Sequence, residues 1–184
     1  MSVEEALVER RSERHYRPEP LSVAELAQLL WAAQGITAPD WGGRTAPSAG
    51  ATYPLEVFAV VGAVEGLAAG LYQYVPDGHS LIHRKGGDLR AELSKAALGQ
   101  PWVRDAPVVL VIAADYERTT QRYGDRGIRY VHMEVGHVGQ NVHLQAEALG
   151  LGTVVVGAFS DGWVKRLLEI AEEPLVLMPV GRPR

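Results

Sequence analysis

The chain predicts a single α+β domain over residues 1–184, and three features carry that prediction. Two short β-rich runs, 71–75 and 80–84, flank Pro76-Asp77-Gly78, which is a hairpin signal. Residues 107–114 and 153–156 are almost continuously apolar, the composition of strands buried on both faces. Stretches with apolar residues at helical spacing lie between the strands, so hairpins and longer crossovers both enter one central sheet. That mixture favours α+β over a doubly wound parallel sheet.

Residues 3–11 read as a short first helix. A second begins at Ser22, where Ser22 and Glu25 have capping-box spacing and Leu26, Leu29, Leu30 and Ala33 form an apolar stripe. Gly35 is its stop signal. Residues 35–54 read as one long loop, punctuated by Pro39, Gly42, Gly43, Pro47, Gly50 and Pro54; loops of this length in compact domains are often functional. Residues 55–61 are β-branched and aromatic enough for a strand. The hairpin follows, and Asp88 can cap a helix running to Leu98. After the apolar strand at 107–114, residues 115–127 read as a charged, mobile connection. A long helix spans about 128–149. The strand at 153–156, a helix near 161–171 and a last strand at 175–180 complete the chain.

Composition narrows the function classes. At 184 residues the chain buries roughly 70% of its extended surface on folding. Its 47% hydrophobic and 22% charged residues are ordinary for a globular protein. Cysteine is absent, which removes disulfides, thiolate nucleophiles and Cys-based metal sites together, so redox chemistry needs a bound cofactor. The acidic N-terminus carries no apolar signal region and no run reaches about 18 apolar residues, so the chain reads as cytoplasmic, with no membrane partner.

Arg10, Arg11, Arg14 and Arg17 fall within eight residues of a chain whose net charge is −4. Nucleic-acid binders spread positive charge along a face, whereas the remaining Lys and Arg here are scattered among acids. No nucleic-acid partner is expected. A small anion suits the cluster better. A phosphate is the best candidate, met by Arg10, Arg14 and the Ser12 hydroxyl, although the same residues would also serve as the solvated end of a helix.

A second candidate is the loop from Arg44 to Pro54. Its small residues from Ser48 to Thr52 let backbone approach something flat and large, and Arg44 adds a fixed cation. No Gly-Lys-Ser/Thr follows, and no Gly-x-Gly-x-x-Gly follows a strand, so Walker and Rossmann sites lack support. Ser48 lacks Gly-x-Ser-x-Gly flanks and is set aside as a nucleophile. His132, Glu134 and His137 invite a metal reading, but the two histidines lie about 140° apart on a helix, too far round to share a metal easily, so no metal site is expected. Gly136, Gly139, Gln140 and Asn141 on that helix fit either a core helix or one at a dimer interface. Gly150-Leu151-Gly152-Thr153 turns into a strand whose far end, Val156-Gly157-Ala158-Phe159, offers backbone N–H groups.

These segments together resemble the nitroreductase superfamily of FMN-dependent oxidoreductases. The resemblance runs from Arg10-Arg11-Ser12-x-Arg14 through the Pro47-Ser48 loop, Gly136-His137 and Gly150-Leu151-Gly152-Thr153 to Pro179-Val180-Gly181-Arg182-Pro183. The Arg44–Pro54 loop and Gly136-His137-Val138-Gly139-Gln140-Asn141 are most similar to the SagB-type branch, which includes azoline dehydrogenases of thiazole- and oxazole-containing peptides. The resemblance implies a dimeric three-layer sandwich, with a mainly antiparallel sheet flanked by helices and FMN at the subunit interface. Carried over by position, Arg10 and Ser12 meet the phosphate, with Arg182 as a second cation there. Arg14 lies nearer the ribityl chain and pyrimidine ring, and Arg11 at another cofactor contact. Pro47, Ser48 and Ala49 pack along the isoalloxazine, and Gly157 and Ala158 present N–H groups toward N5 and O4. No side chain is implied as an obligatory acid.

Two positions depart from the family pattern. Ala51 and Tyr53-Pro54-Leu55 stand where the common loop has Asn and Gln-Pro-Trp, which leaves Arg44 to recognise the pyrimidine. Arg122-Tyr123 stands where azoline-oxidising relatives carry Lys-Tyr, and an arginine that stays protonated is a poor general base. The implied activity is a ping-pong hydride transfer from NAD(P)H to a small acceptor, a nitroaromatic or quinone. Azoline oxidation on a peptide substrate is the alternative enzyme, and a non-catalytic flavin-binding or scaffold subunit the alternative of another class.

Overall fold

The computed structural model describes residues 1–184. Helix α1 (Val3–Glu9) and helix α2 (Val23–Gln34) each start with a reciprocal capping box, Ser2 with Glu5 and Ser22 with Glu25. Strands β1 (Ile36–Ala38) and β2 (Gly43–Arg44) form a small separate ribbon. The main sheet begins with β3 (Leu55–Val61), β4 (Gly70–Val75) and β5 (Ser80–Gly86). Helices α3 (Arg90–Ala96) and α4 (Pro101–Asp105) lead into β6 (Val108–Ala114). Helix α5 (Glu117–Tyr123) precedes the long α6 (Arg126–Ala148), and β7 (Gly152–Thr153), α7 (Asp161–Leu168) and β8 (Glu173–Gly181) end the chain.

The six strands lie in the order β5-β4-β3-β6-β8-β7, and each neighbouring pair is antiparallel. Alternation along β3 and β6 divides the core into two. Val57, Ala59, Leu110 and Ile112 face α2 and α6; Phe58, Val60, Val109 and Val111 face α3, α4 and α7. Side chains of a strand alternate faces, so a central strand covered by helices on both sides must be apolar at every position. The result is the α+β three-layer sandwich that the sequence predicts. Helix α6 turns Val131, Val135, Val138 and Val142 into the first core, which fixes its polar residues toward the candidate site.

Several elements differ from expectation. The long loop contains the β1–β2 ribbon, and the 115–127 connection contains α5, whose polar residues are ordered by tertiary contacts rather than by an apolar stripe. Asp88 bonds the Arg90 N–H, but Leu89 is the residue at the α3 cap. Of the strand at 153–156, only Gly152–Thr153 forms a ladder, and Val156 rejoins the sheet through paired bonds with Leu177. Gly35 does stop α2, yet its φ is −62°, so a left-handed turn is not the reason for glycine. A Cβ there would lie 2.3 Å from the Trp31 ring, so close approach is. No helix is long and apolar enough to cross a membrane.

Candidate functional site

The arginine cluster is laid against the sheet by its backbone. Ser12 bridges Thr153, the Glu13 N–H donates to Thr153 O at 2.9 Å, and the Arg17 N–H donates to Arg182 O at 2.9 Å. The buried Tyr16 hydroxyl lies 2.7 Å from Glu13 O and 3.0 Å from Pro179 O. The guanidinium groups of Arg10, Arg11 and Arg14 have no carboxylate partner. Arg11 folds back on α1, donating to Val8 O and Arg10 O at 2.8 and 2.9 Å. Arg14 stands 5.7 Å over the Trp102 ring and reaches Ser12 O at 3.3 Å. Arg10 lies near His143, whose imidazole is pushed down to about 4, first by burial and then by that charge.

Arg182 behaves differently. Its guanidinium is engaged by Glu25 at 2.8 Å and Glu19 at 3.4 Å, which draws it toward α2. Of the four cluster arginines, Arg10, Arg14 and Arg17 are therefore left without a carboxylate, while Arg11 is folded onto α1. At the start of α4, whose Trp102 lies under Arg14, Gln100 Nε2 donates to Ala158 O at 2.8 Å, while the N–H groups of Gly157 and Ala158 make no bond within the chain. A Cβ at Gly157 would meet nothing within 4 Å. Thr153 Oγ1 and Trp102 Nε1 are buried with no partner, each of which costs about 1–3 kcal/mol if left so. Unpaired cations, free N–H groups and orphaned donors fit a ligand rich in oxygen, and a phosphate-ended cofactor is one.

The Arg44–Pro54 loop is held by side chains instead. Arg44 turns inward, half-buried, to donate to Gln34 Oε1 at 2.8 Å, and its guanidinium lies 4.6 Å over the Tyr53 ring. Gln34 and Tyr53 thus engage part of its guanidinium. Ser48 Oγ accepts from the Tyr53 N–H at 2.9 Å. Pro47 O lies 3.3 Å from His137 Nδ1, and Asn141 donates to Thr45 O at 3.2 Å. From α5, Arg118 donates to Tyr53 O at 3.1 Å, Arg122 to Gly50 O at 3.1 Å, and the Thr119 and Thr52 hydroxyls lie 2.8 Å apart. This clamp holds Gly50, Ala51 and Tyr53 at φ of 60°, 54° and 44°. For the two non-glycines that conformation costs on the order of 1–2 kcal/mol each.

Helix α6 carries both halves of the site on different faces. Its Glu134 and His137 face the loop, whereas His143 and Glu147 face Arg10 and Arg11. From His137 to Glu147 the helix rises about 15 Å, and His137 and His143 lie about 120° apart around it. The cavity lined by Pro47, Ser48 and Ala49 contains none of Arg10, Ser12, Arg14, Gly157 or Ala158. His132 meets the Tyr116 hydroxyl at 2.6 Å, so His132 and His137 have separate partners.

Residues that sequence reasoning missed include Gln34, Trp102, Thr119 and Thr153. From the sequence, Glu134 stands only among metal-ligand candidates that the helix spacing excludes. One signal was legible: Glu134 sits beside the apolar stripe of α6, where a carboxylate needs a reason. Nothing local marked the others.

Residues 7–182 match the family described as the Nitroreductase family. The chain is 53% identical over 182 residues to the nitroreductase-type protein MJ1384 of Methanocaldococcus jannaschii, covering 99% of this chain and 91% of that one. It is 28% identical to the FMN reductase [NAD(P)H] of Bacillus subtilis, over 96% of this chain and 61% of that protein. A solved nitroreductase-type structure from Ralstonia eutropha superposes with a TM-score of 0.88 at 30% identity, covering 100% of this chain and 84% of that one. A chain of the Escherichia coli microcin synthetase McbBCD complex, solved with truncated pro-MccB17 bound, gives 0.80 at 26% identity, covering 100% and 73%.

Proposed function

The chain belongs to the nitroreductase family, and on that premise we propose that this flavin-type oxidoreductase holds FMN, takes reducing equivalents from NADH or NADPH and passes them to a small nitroaromatic or quinone acceptor. The observation that carries the reading is the pair of arginines, Arg10 and Arg14, without carboxylate partners, together with the free N–H groups of Gly157 and Ala158, which α4 links to Arg14 through Trp102 and Gln100. FMN, when bound, supplies the hydride chemistry. The chain supplies position and charge. Arg10 and the Ser12 hydroxyl hold the phosphate, Arg14 lies further along the cofactor, and Gly157 and Ala158 direct their N–H groups at the N5 and O4 edge. Arg11, folded onto α1, contributes through its backbone rather than its guanidinium. Arg182 acts mainly as a tie to Glu25.

Pro47, Ser48 and Ala49 come from a second copy of the chain in this reading, because one copy carries the loop and the cation segment on different faces of α6. The exposed Met133, Gly136 and Gln140 on α6, with Val3, Leu7 and Val8 on α1, form a surface suited to that contact. The reductase reading is preferred over azoline oxidation because the Arg122 side chain is occupied at Gly50 O, as a clamp on the loop. An absorbance spectrum of the purified protein, followed by anaerobic NADPH, tests the proposal. Flavin bands that bleach support it, and colourless protein that takes up no added FMN overturns it. A flavin complex inert to both NADH and NADPH points instead to the non-catalytic flavin-binding subunit.

A further inference from the structure

Strand β5 is the outermost strand of the main sheet on the side away from β7. Its one ladder partner is β4, and none of its backbone groups bonds a loop or a helix. A bare edge of seven residues is a template for another strand, and native sheets guard such edges with bulges and lysines. Both guards occur here, but at one end only. The register slips at Arg84, between the pairs Tyr72–His83 and Leu71–Lys85, and Lys85 reaches the end of α7 at Leu167 O and Glu169. Ser80 to His83 is left regular and open, with Ile82 48% exposed.

Beside that open half lies a cavity of about 200 Å³, between Val23, Ala27 and Leu30 of α2 and Tyr74 and Leu81 of the hairpin. The Tyr74 hydroxyl is occupied by His79 Nδ1 at 2.8 Å, so the wall offers mainly apolar contact. An apolar cavity of about 150 Å³ already admits a benzene-sized group. Tyr74 and Leu81 lie opposite one another and turn to the α2 side of the sheet. Strand side chains alternate, so a strand laid along β5 would turn every second one toward α2 and this cavity.

We propose that β5 is a docking edge for an extended segment of another polypeptide, which adds a seventh strand and seats one leucine- or phenylalanine-sized side chain in the cavity between β5 and α2. Main-chain pairing supplies affinity and the cavity supplies specificity. Charge fixes the rest of the occupant. Arg84 has no carboxylate partner, whereas Lys85 is matched by Glu169, so the segment carries acid at its Arg84 end. A second copy of this chain suits the edge poorly. Full antiparallel overlap of two β5 strands sets the two Arg84 side chains diagonal to each other, and residues 80–86 hold no acid to offset them. The docking edge shares no residue with the cation segment or the Pro47–Ala49 loop, and it stands apart from the flavin reading.

Fluorescence anisotropy on the purified full-length protein tests the proposal. Two short labelled probes of alternating Thr and Val carry one central Leu and a Glu pair, at the N-terminal end in one and the C-terminal end in the other. One of them is expected to bind, since strand direction decides which end meets Arg84. Replacing its Leu by Ala should weaken binding at least about tenfold. N-methylation of every second amide should abolish binding in one phase and spare it in the other, because alternate N–H groups of a strand face its neighbour. Ala27→Leu fills the cavity and should erase the preference for the Leu probe. Arg84→Glu should move the preference from a Glu pair to a Lys pair, and an unchanged melting temperature shows that both variants fold. Failure of both probes to bind, or binding indifferent to the N-methylation phase, overturns the proposal. Self-association that Ile82→Lys abolishes gives the edge to a second copy and overturns it as well.

Discussion

The cation segment at residues 10–17 and the loop at residues 44–54 are both rich in chemistry, but they are built in opposite ways. The first is fixed through backbone bonds to Thr153 and Arg182, which leaves Arg10 and Arg14 free of carboxylates. The second is fixed through side chains of Gln34, Arg118, Thr119, Arg122 and Asn141, and holds strained backbone as a result. Charge can therefore be removed from the first with little effect on folding. Almost any change in the second alters the fold locally before it alters chemistry.

The largest expected effect breaks the first region alone. Arg10→Ala with Arg14→Ala removes two charged hydrogen-bond donors, each worth about 1.5–3 kcal/mol to an anionic ligand. FMN retention after dialysis should fall at least about a hundredfold, with circular dichroism and melting temperature unchanged; retention equal to wild type contradicts the phosphate assignment. A second effect, on stability, reaches the same region through His143. Its folded pKa is lowered to about 4 from 6.5, so the unfolded chain binds the extra proton first. Its contribution is complete above about pH 6.5 and is lost as pH falls toward 4, about 3 kcal/mol in all. His143→Gln should flatten that acid limb of a denaturation–pH profile.

The smaller effects probe the loop. Gly50→Ala would place a Cβ 2.5 Å from the Tyr123 hydroxyl and 2.7 Å from Arg122 Nη1, at a positive φ. We expect a loss of about 1–2 kcal/mol in chemical denaturation. Ala51→Gly, one residue on and exposed, should raise stability by up to about 1 kcal/mol, because it relieves φ of 54° without touching the clamp. If both substitutions shift stability in the same direction, the loop is not held under strain as described.

Much of the architecture was legible along the chain. The Ser22–Glu25 box, the Pro76-Asp77-Gly78 turn and the apolar run ending at Ala114 are short-range signals, and each became the expected element. Helix α5 was not, because Thr119 and Arg122 earn their order from Thr52 and Gly50, which are distant in sequence. The direction of a long side chain is equally invisible. Arg44 and Arg182 looked as available as Arg10, yet Gln34 claims one and Glu25 the other. Glu134 carried a readable signal, a carboxylate beside an apolar stripe.

By itself, the sequence determined the central sheet with its helical cover and the gathering of four arginines within eight residues. Hydrophobic period and turn chemistry act over a few residues and are written locally. Only the tertiary structure decided which arginines stay free, which faces of α6 the two half-sites occupy, and that Glu134 is sealed beside a cavity. Those outcomes depend on which distant partner reaches a charge first and on how much water burial removes, and neither is a property of any local stretch of chain.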